Sequence, residues 1–313
     1  MIGTYLLLLS MILLWSFSFI IVDIAVMFIP PLSVALYRFI IASLSFFVID
    51  IIQKVKKPIR TSENFAGKSA DHYNKLDWLL LFFASLTGVS LFFFTQYNAI
   101  NLIGPSLPAL FVCLLSPVLI SLLALIFFEE RLHHYKISGF IIATLGGFLL
   151  VTGGNISVLT PSSPNFLGYI FALLTPILWS LYSTITKQIK NKDNLTMLKY
   201  ISYFGTIELC IIILFSGELP IFIRNLFNPL LFLCSIYLGI GCYVVGYLIW
   251  QLSQKKMESS KVASFLYIEP FLTLGFSFLL QRNEVIVIWN LIGGLIVLIG
   301  VLLLNYKKTS KES

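Results

Sequence analysis

Three ionisable residues stand deep inside apolar stretches of this 313-residue chain: Arg38, Glu208 and Glu269. A charge at the centre of a membrane helix costs about 2.5–3.5 kcal/mol on insertion scales, so such residues face a cavity or a partner. A carboxylate in that setting can take a proton or hold a substrate ammonium, and the planar guanidinium of Arg38 can grip a carboxylate with two parallel hydrogen bonds. Each has a structural alternative. Arg38, seven residues past Pro31, can instead pair with Asp23 or another acid and tie helices together, and that is the preferred reading for it. For Glu269 the functional reading is preferred.

Glu269 is followed directly by Pro270, and a proline inside a helix leaves the carbonyl four residues earlier, here that of Leu266, without its donor. Pro117 does the same to Cys113. Freed carbonyls beside a cavity suit substrate binding or a hinge, the alternative being a static kink. Thr175, Trp179, Tyr182 and Thr186 follow helical spacing on one face. With Trp15, Tyr97, Trp250 and Tyr267 they are candidates to line a cavity for the apolar part of a solute, although Trp and Tyr also serve as packing and interfacial residues.

Other chemistries find little support. His133 and His134 are adjacent, with no second His or Cys at ligand spacing, so no metal site is expected. The four cysteines (Cys113, Cys210, Cys234, Cys242) lie inside apolar segments and read as small apolar fillers. No Walker loop, Rossmann glycine fingerprint or G-x-S-x-G elbow is present, so no cofactor, ATP-driven step or hydrolysis is expected, and the chain is read as no enzyme. A phosphorylated substrate calls for several buried basic residues, and only Arg38 qualifies. A neutral, zwitterionic or cationic small molecule fits better.

The elements that must position these residues follow from composition. Apolar residues make 58% of the chain and charged ones 11%, against about a quarter charged in soluble domains. Apolar segments recur near 4–26, 32–52, 77–97, 105–127, 137–153, 165–186, 198–216, 229–250, 260–280 and 285–305. Twenty residues of helix reach about 30 Å, the thickness of a bilayer's hydrocarbon core. The expected class is therefore an all-α, polytopic membrane protein with ten transmembrane helices. The net charge of +7 is not a nucleic-acid signature, because the basic residues fall between the segments. Alternate connections and the tail hold eighteen Lys and Arg, and the opposite side only Arg224 and Arg282. By the positive-inside rule both termini are cytoplasmic, and the expected location is the cell (plasma) membrane.

The chain also repeats itself. Glu130, Gly139 and Gly146 recur as Glu284, Gly293 and Gly300 at an offset of 154. Tyr97 and Pro117 match Trp250 and Pro270 at 153, and Trp15-Ser16 matches Trp179-Ser180 at 164. The halves run over 1–153 and 165–305, with a cytoplasmic tail at 306–313. Five spans per half make the second copy enter the membrane from the opposite side, so the repeats are inverted, the architecture of alternating access. The seven-residue glycine spacing predicts close helix packing.

Trp15, Arg38-Phe39, Pro117, Glu130-Arg131-Leu132, Gly139, Gly146, Trp179, Glu269-Pro270, Gly293 and Gly300 together resemble the drug/metabolite transporter superfamily, EamA type. The resemblance spans nearly the whole chain. It implies two inverted five-helix repeats and a secondary transporter, most members of this kind being exporters of amino acids, other metabolites or toxic compounds. Proton coupling through Glu208 or Glu269 is an open expectation. A multidrug or cation efflux carrier, a channel and a non-transporting membrane component are the alternatives.

Overall fold

The computed structural model describes residues 2–56, 73–127, 134–189, 193–257, 262, 264–282 and 286–304. Among these the chain is helical, without a strand, and forms ten spans. The first five cover Ile2–Ala25, Pro31–Lys56, Lys75–Ile103, Ser106–Phe127 and His134–Thr152. The second five cover Phe166–Gln188, Asn194–Ser216, 229–256, 264–279 and Ile288–Leu304. Six are long and apolar enough to cross a membrane, and the fourth, fifth, ninth and tenth contain shorter apolar helices. Large apolar side chains such as Leu6, Phe47, Ile207 and Leu302 stand exposed on the outer faces, as expected where lipid replaces water.

Polar residues set the ends. Asn74 and Asp77 cap the third span reciprocally, each side chain accepting the other's backbone N–H. Asp193 accepts from Thr196 N at 2.9 Å to start the seventh, which stops at the left-handed Gly217 (φ 74). Asn228 caps the eighth, with Pro229 in the first turn, where its missing N–H costs nothing. Glu218, which precedes the short helix Leu219–Asn225, accepts from the backbone N and hydroxyl of Ser33 and so caps the second span. Burial pushes the Glu218 carboxyl above its ordinary range, and the two Ser33 hydrogen bonds oppose the rise.

Helix packing reproduces the inverted repeat. The first span packs on the ninth and eighth, and the sixth, its counterpart, on the fourth and third. The second packs on the eighth as the seventh does on the third, while the second–seventh and fifth–tenth pairs map onto themselves. That last pair crosses backbone to backbone. A Cβ on Gly146 would lie 2.6 Å from Val297 N, one on Gly293 2.2 Å from Leu150 N, and one on Gly300 2.6 Å from Ala143 N. The recurring glycines therefore serve close packing, since lipid-embedded helices adhere chiefly by van der Waals contact. Glu130, Arg131, Leu132, His133 and Glu284, and the tail, lie outside the described residues.

Two features depart from regular α-helix. The third span contains a π-helical segment, Leu86–Ser90, and the eighth a longer one, Tyr237–Tyr247. Shifted by the repeat offset of 153, 86–90 falls on 239–243, inside the second segment, and Gly88 falls on Gly241. The ninth span also differs from the sequence expectation. It is a 3₁₀ helix over Ser264–Ile268 and an α-helix from Glu269, so Pro270 occupies a first turn and not a helix interior. A first-turn proline lacks a donor that the α-helix does not use, and the break lies in the change of helix type at Glu269. Pro117, by contrast, is inside the continuous fourth span.

Candidate functional site

The two repeats meet through their equivalent tryptophans. Trp15 and Trp179 stand edge to face with ring centroids 5.7 Å apart, a favoured aromatic geometry. Trp250 completes a triangle at 5.8 and 5.7 Å, and Tyr247 packs on both indoles of the first pair. The close approach has a backbone cause: a Cβ on Gly246 would stand 2.4 Å from Trp15 Nε1. Trp15 Nε1 donates to the carbonyl of Cys242 at 2.9 Å, inside the eighth span's π segment. The indole N–H groups of Trp179 and Trp250 have no partner among the described residues.

Arg38 enters this region from the second span, 3% exposed. Its Nη1 donates to Tyr97 Oη at 2.6 Å and its Nη2 to the carbonyl of Leu238 at 2.8 Å. Its guanidinium carbon lies 4.2 Å from the Phe93 ring centroid, a cation–π contact. Nε has no partner, and no described carboxylate pairs with Arg38. The ion pair with Asp23 expected from the sequence does not form. Asp23 accepts from Arg282 at 2.5 Å instead, because Asp23 lies at the end of its span, within reach of the ninth-to-tenth connection and about 10 Å from the depth of Arg38.

Glu269 is equally buried, at the start of the ninth span's α segment. Its carboxyl meets the thiol of Cys113, across in the fourth span, and Oε2 is left without a partner. Arg38, Glu269, Trp15 and Trp179 line one cavity together with Cys113, Cys242, Tyr247 and Gln96. Phe92 and Phe93 give it further aromatic wall. The cavity volume is about 50 Å³, room for about three waters. Both repeats contribute to its walls. The arrangement offers one buried cation and one buried carboxyl, each with unused hydrogen-bonding capacity, beside aromatic surfaces.

The other residues singled out from sequence fall into two groups. Tyr97, Tyr182 and Trp250 form the layer behind the wall: Tyr97 holds Arg38, Tyr182 stacks 5.3 Å from Trp179, and Trp250 packs on both tryptophans. Tyr267 and Glu208 do not line the cavity. Tyr267 is buried in a separate apolar cluster with Phe111 and Tyr169, and Glu208 accepts hydrogen bonds from Ser85 and Ser90 where the seventh span meets the third. Residue type identified both, but the rotation of an all-round apolar helix is not encoded in its hydropathy. Gln96, Cys113 and Cys242 were missed. Gln96 was detectable as an amide inside an apolar span; the cysteines behave as small hydrophobes and carry no such signal. Among the described residues no three His, Cys, Asp or Glu side chains group as a metal site.

Comparison with known proteins places this architecture. The chain is 28% identical over 307 residues to an uncharacterized transporter of Archaeoglobus fulgidus, covering 97% of this chain and 98% of the relative. It is 24% identical to the uncharacterized transporter YyaM of Bacillus subtilis, covering 87% and 83% of the two chains. A solved crystal structure shares the fold with a TM-score of 0.58, at 16% identity and over 96% of both chains. The model of the EamA-like transporter family matches twice, over residues 2–152 and 166–306. With both halves matched, the chain belongs to the EamA-like transporter family.

Proposed function

We propose that the chain is a secondary carrier that moves a small zwitterionic metabolite, an amino acid or a close relative, outward by alternating access. One observation carries the substrate class: Arg38 Nε and Glu269 Oε2 are both unpartnered and belong to residues lining the same cavity, where the two repeats meet. A substrate carboxylate completes the guanidinium's donors, and a substrate ammonium neutralises Glu269. The aromatic wall of Trp15, Trp179 and Phe92 accepts an apolar side chain. Inverted repeats supply two related tilts about this cavity, one open to each face.

Proton coupling belongs to the same reading. An unpaired carboxylate inside a membrane is unstable as an anion, so Glu269 carries either a proton or the substrate's ammonium and exchanges one for the other. The charge asymmetry of the connections supports a cell-membrane carrier with both termini cytoplasmic.

The test is counterflow in proteoliposomes with a panel of radiolabelled L-amino acids, beside a nucleoside and a quaternary ammonium dye. Saturable uptake of one amino acid, accelerated by the same unlabelled compound inside, is expected. Uptake of the cationic dye alone would move the substrate class to cations, and flux that rises without saturation would replace the carrier by a channel.

A further inference from the structure

Of the two acids deep in the described spans, Glu208 is the one the cavity leaves unused, and its contacts are specific. Its Oε1 accepts from Ser85 Oγ at 2.5 Å and its Oε2 from Ser90 Oγ at 2.6 Å. Ser85 is the last residue before the π segment of the third span, and Ser90 is the last residue within it. Both serines are fully buried. One carboxylate thus brackets the whole segment from the neighbouring helix.

This bracket fits only one helix type. In an α-helix residues five apart point about 140° away from each other around the axis, so two such serines cannot face a single carboxylate. In a π-helix the bonding runs from i to i+5, the turn is wider, and residues five apart come to lie on the same side of the axis. The carboxylate therefore binds the π form in preference to the α form, the differential interaction that lets one group bias a two-state element. Each serine hydroxyl also reaches a backbone acceptor, Phe82 O for Ser85 at 2.7 Å and Leu86 O for Ser90 at 3.3 Å, but the Glu208 oxygens are the nearer acceptors in both cases.

The state of the segment reaches the cavity. Conversion of the π segment to α would turn the helix Leu91–Ile103, on its C-terminal side, by about 100°, one residue's rotation. That helix carries Phe92, Phe93 and Gln96 on the cavity wall and Tyr97, which holds Arg38. The segment itself is packed for its present form: Gly88 leaves room for the Tyr182 ring, and Val89 seats on Gly205 of the seventh span. The matching π segment of the eighth span carries Cys242 and Tyr247 on the cavity wall.

We propose that Glu208 is a positioning residue for transport, a latch that holds the third span in its π form in this conformation and lets go when the cavity changes sides. The latch rests on the carrier reading for its purpose, but its physical part is measurable without any solute. Backbone hydrogen exchange of the full chain in lipid nanodiscs, followed on peptides covering 86–97, compares Glu208→Gln, Glu208→Leu and the double variant Ser85→Ala/Ser90→Ala with the parent. Gln keeps two polar contacts to the serines, so its exchange stays within about threefold of the parent; Leu and the serine pair each accelerate exchange in 86–97 at least tenfold, with peptides of the fifth and tenth spans unchanged. Flux of the same radiolabelled panel of L-amino acids, nucleoside and quaternary ammonium dye in liposomes then shows turnover of the transported compound altered in Glu208→Leu, with KM nearly constant, and rescued in Glu208→Gln. Unchanged exchange at 86–97 in the serine pair overturns the latch, even if Glu208→Leu has lost its fold. Absence of flux for every solute in the parent, with the exchange pattern as expected, overturns the carrier reading and leaves the latch a structural clasp.

Discussion

Replacing Gly293 by alanine adds one methyl group at the point where the fifth and tenth spans touch. Its Cβ would lie 2.2 Å from Leu150 N, 2.7 Å from Leu150 Cα and 2.8 Å from Gly146 O, whereas ordinary contact begins at 3.4 Å. All three neighbours are backbone atoms, so no side chain can swing aside, and the helices must part by roughly 1 Å at their crossing. Overpacking of this kind costs about 1–3 kcal/mol, and a gap of that width forfeits a quarter to a half of the dispersion energy along the seam, the chief adhesion in lipid, beside the hydrogen bond from Asn290 Nδ2 to Leu150 O. Scaled by the temperature response of proteins near this size, the apparent melting temperature falls by about 2–10 °C. The assay is thermal denaturation in detergent at one fixed heating rate. Gly275→Ala is the internal control, because a Cβ there meets nothing within 4 Å. If Gly293→Ala melts together with Gly275→Ala, the close fifth–tenth crossing, and the reading of the recurring glycines, is refuted.

Arg38→Lys keeps the charge but loses the planar fork and one charge-assisted hydrogen bond worth about 1.5–3 kcal/mol; the half-saturating concentration of a transported amino acid rises about tenfold or more, and an unchanged value contradicts carboxylate binding there. Glu269→Gln abolishes any dependence of flux on a pH gradient while the protein still elutes as a folded species by size exclusion; a retained gradient effect removes Glu269 from the coupling. Arg282→Ala unpairs Asp23 at a part-exposed site, so stability changes by no more than about 1 kcal/mol, read as a small melting shift that the charge-swapped pair Asp23→Arg/Arg282→Asp recovers.

The ten spans were legible because crossing a bilayer is decided by length and composition, which a sequence displays directly. The repeat was legible for a related reason: Trp15 and Trp179, or Gly139 and Gly293, recur as residue types and need no geometry to be found. What stayed hidden depends on rotation and on backbone type. Glu208 and Glu269 look alike in sequence, each an acid in an apolar helix, yet one meets two serines of a neighbouring span and the other the cavity. An apolar helix has no polar face to fix its phase, so only tertiary packing separates the two. The π segments cost a one-residue shift in hydrogen bonding and leave no compositional trace, beyond the matched Gly88 and Gly241. Pro270 read as a helix interior because the apolar run is unbroken, whereas the change from 3₁₀ to α helix falls at Glu269.

Two native cysteines, Cys113 and Cys242, line the cavity and offer a direct probe of its access. With Cys210 and Cys234 replaced by alanine, a membrane-impermeant thiol reagent is applied to right-side-out and to inside-out vesicles, with and without saturating transported amino acid. Alternation of a shared cavity predicts labelling of Cys113 or Cys242 from both faces, slowed by the amino acid in each case. Labelling confined to one face at all times, or indifferent to the amino acid, would contradict it.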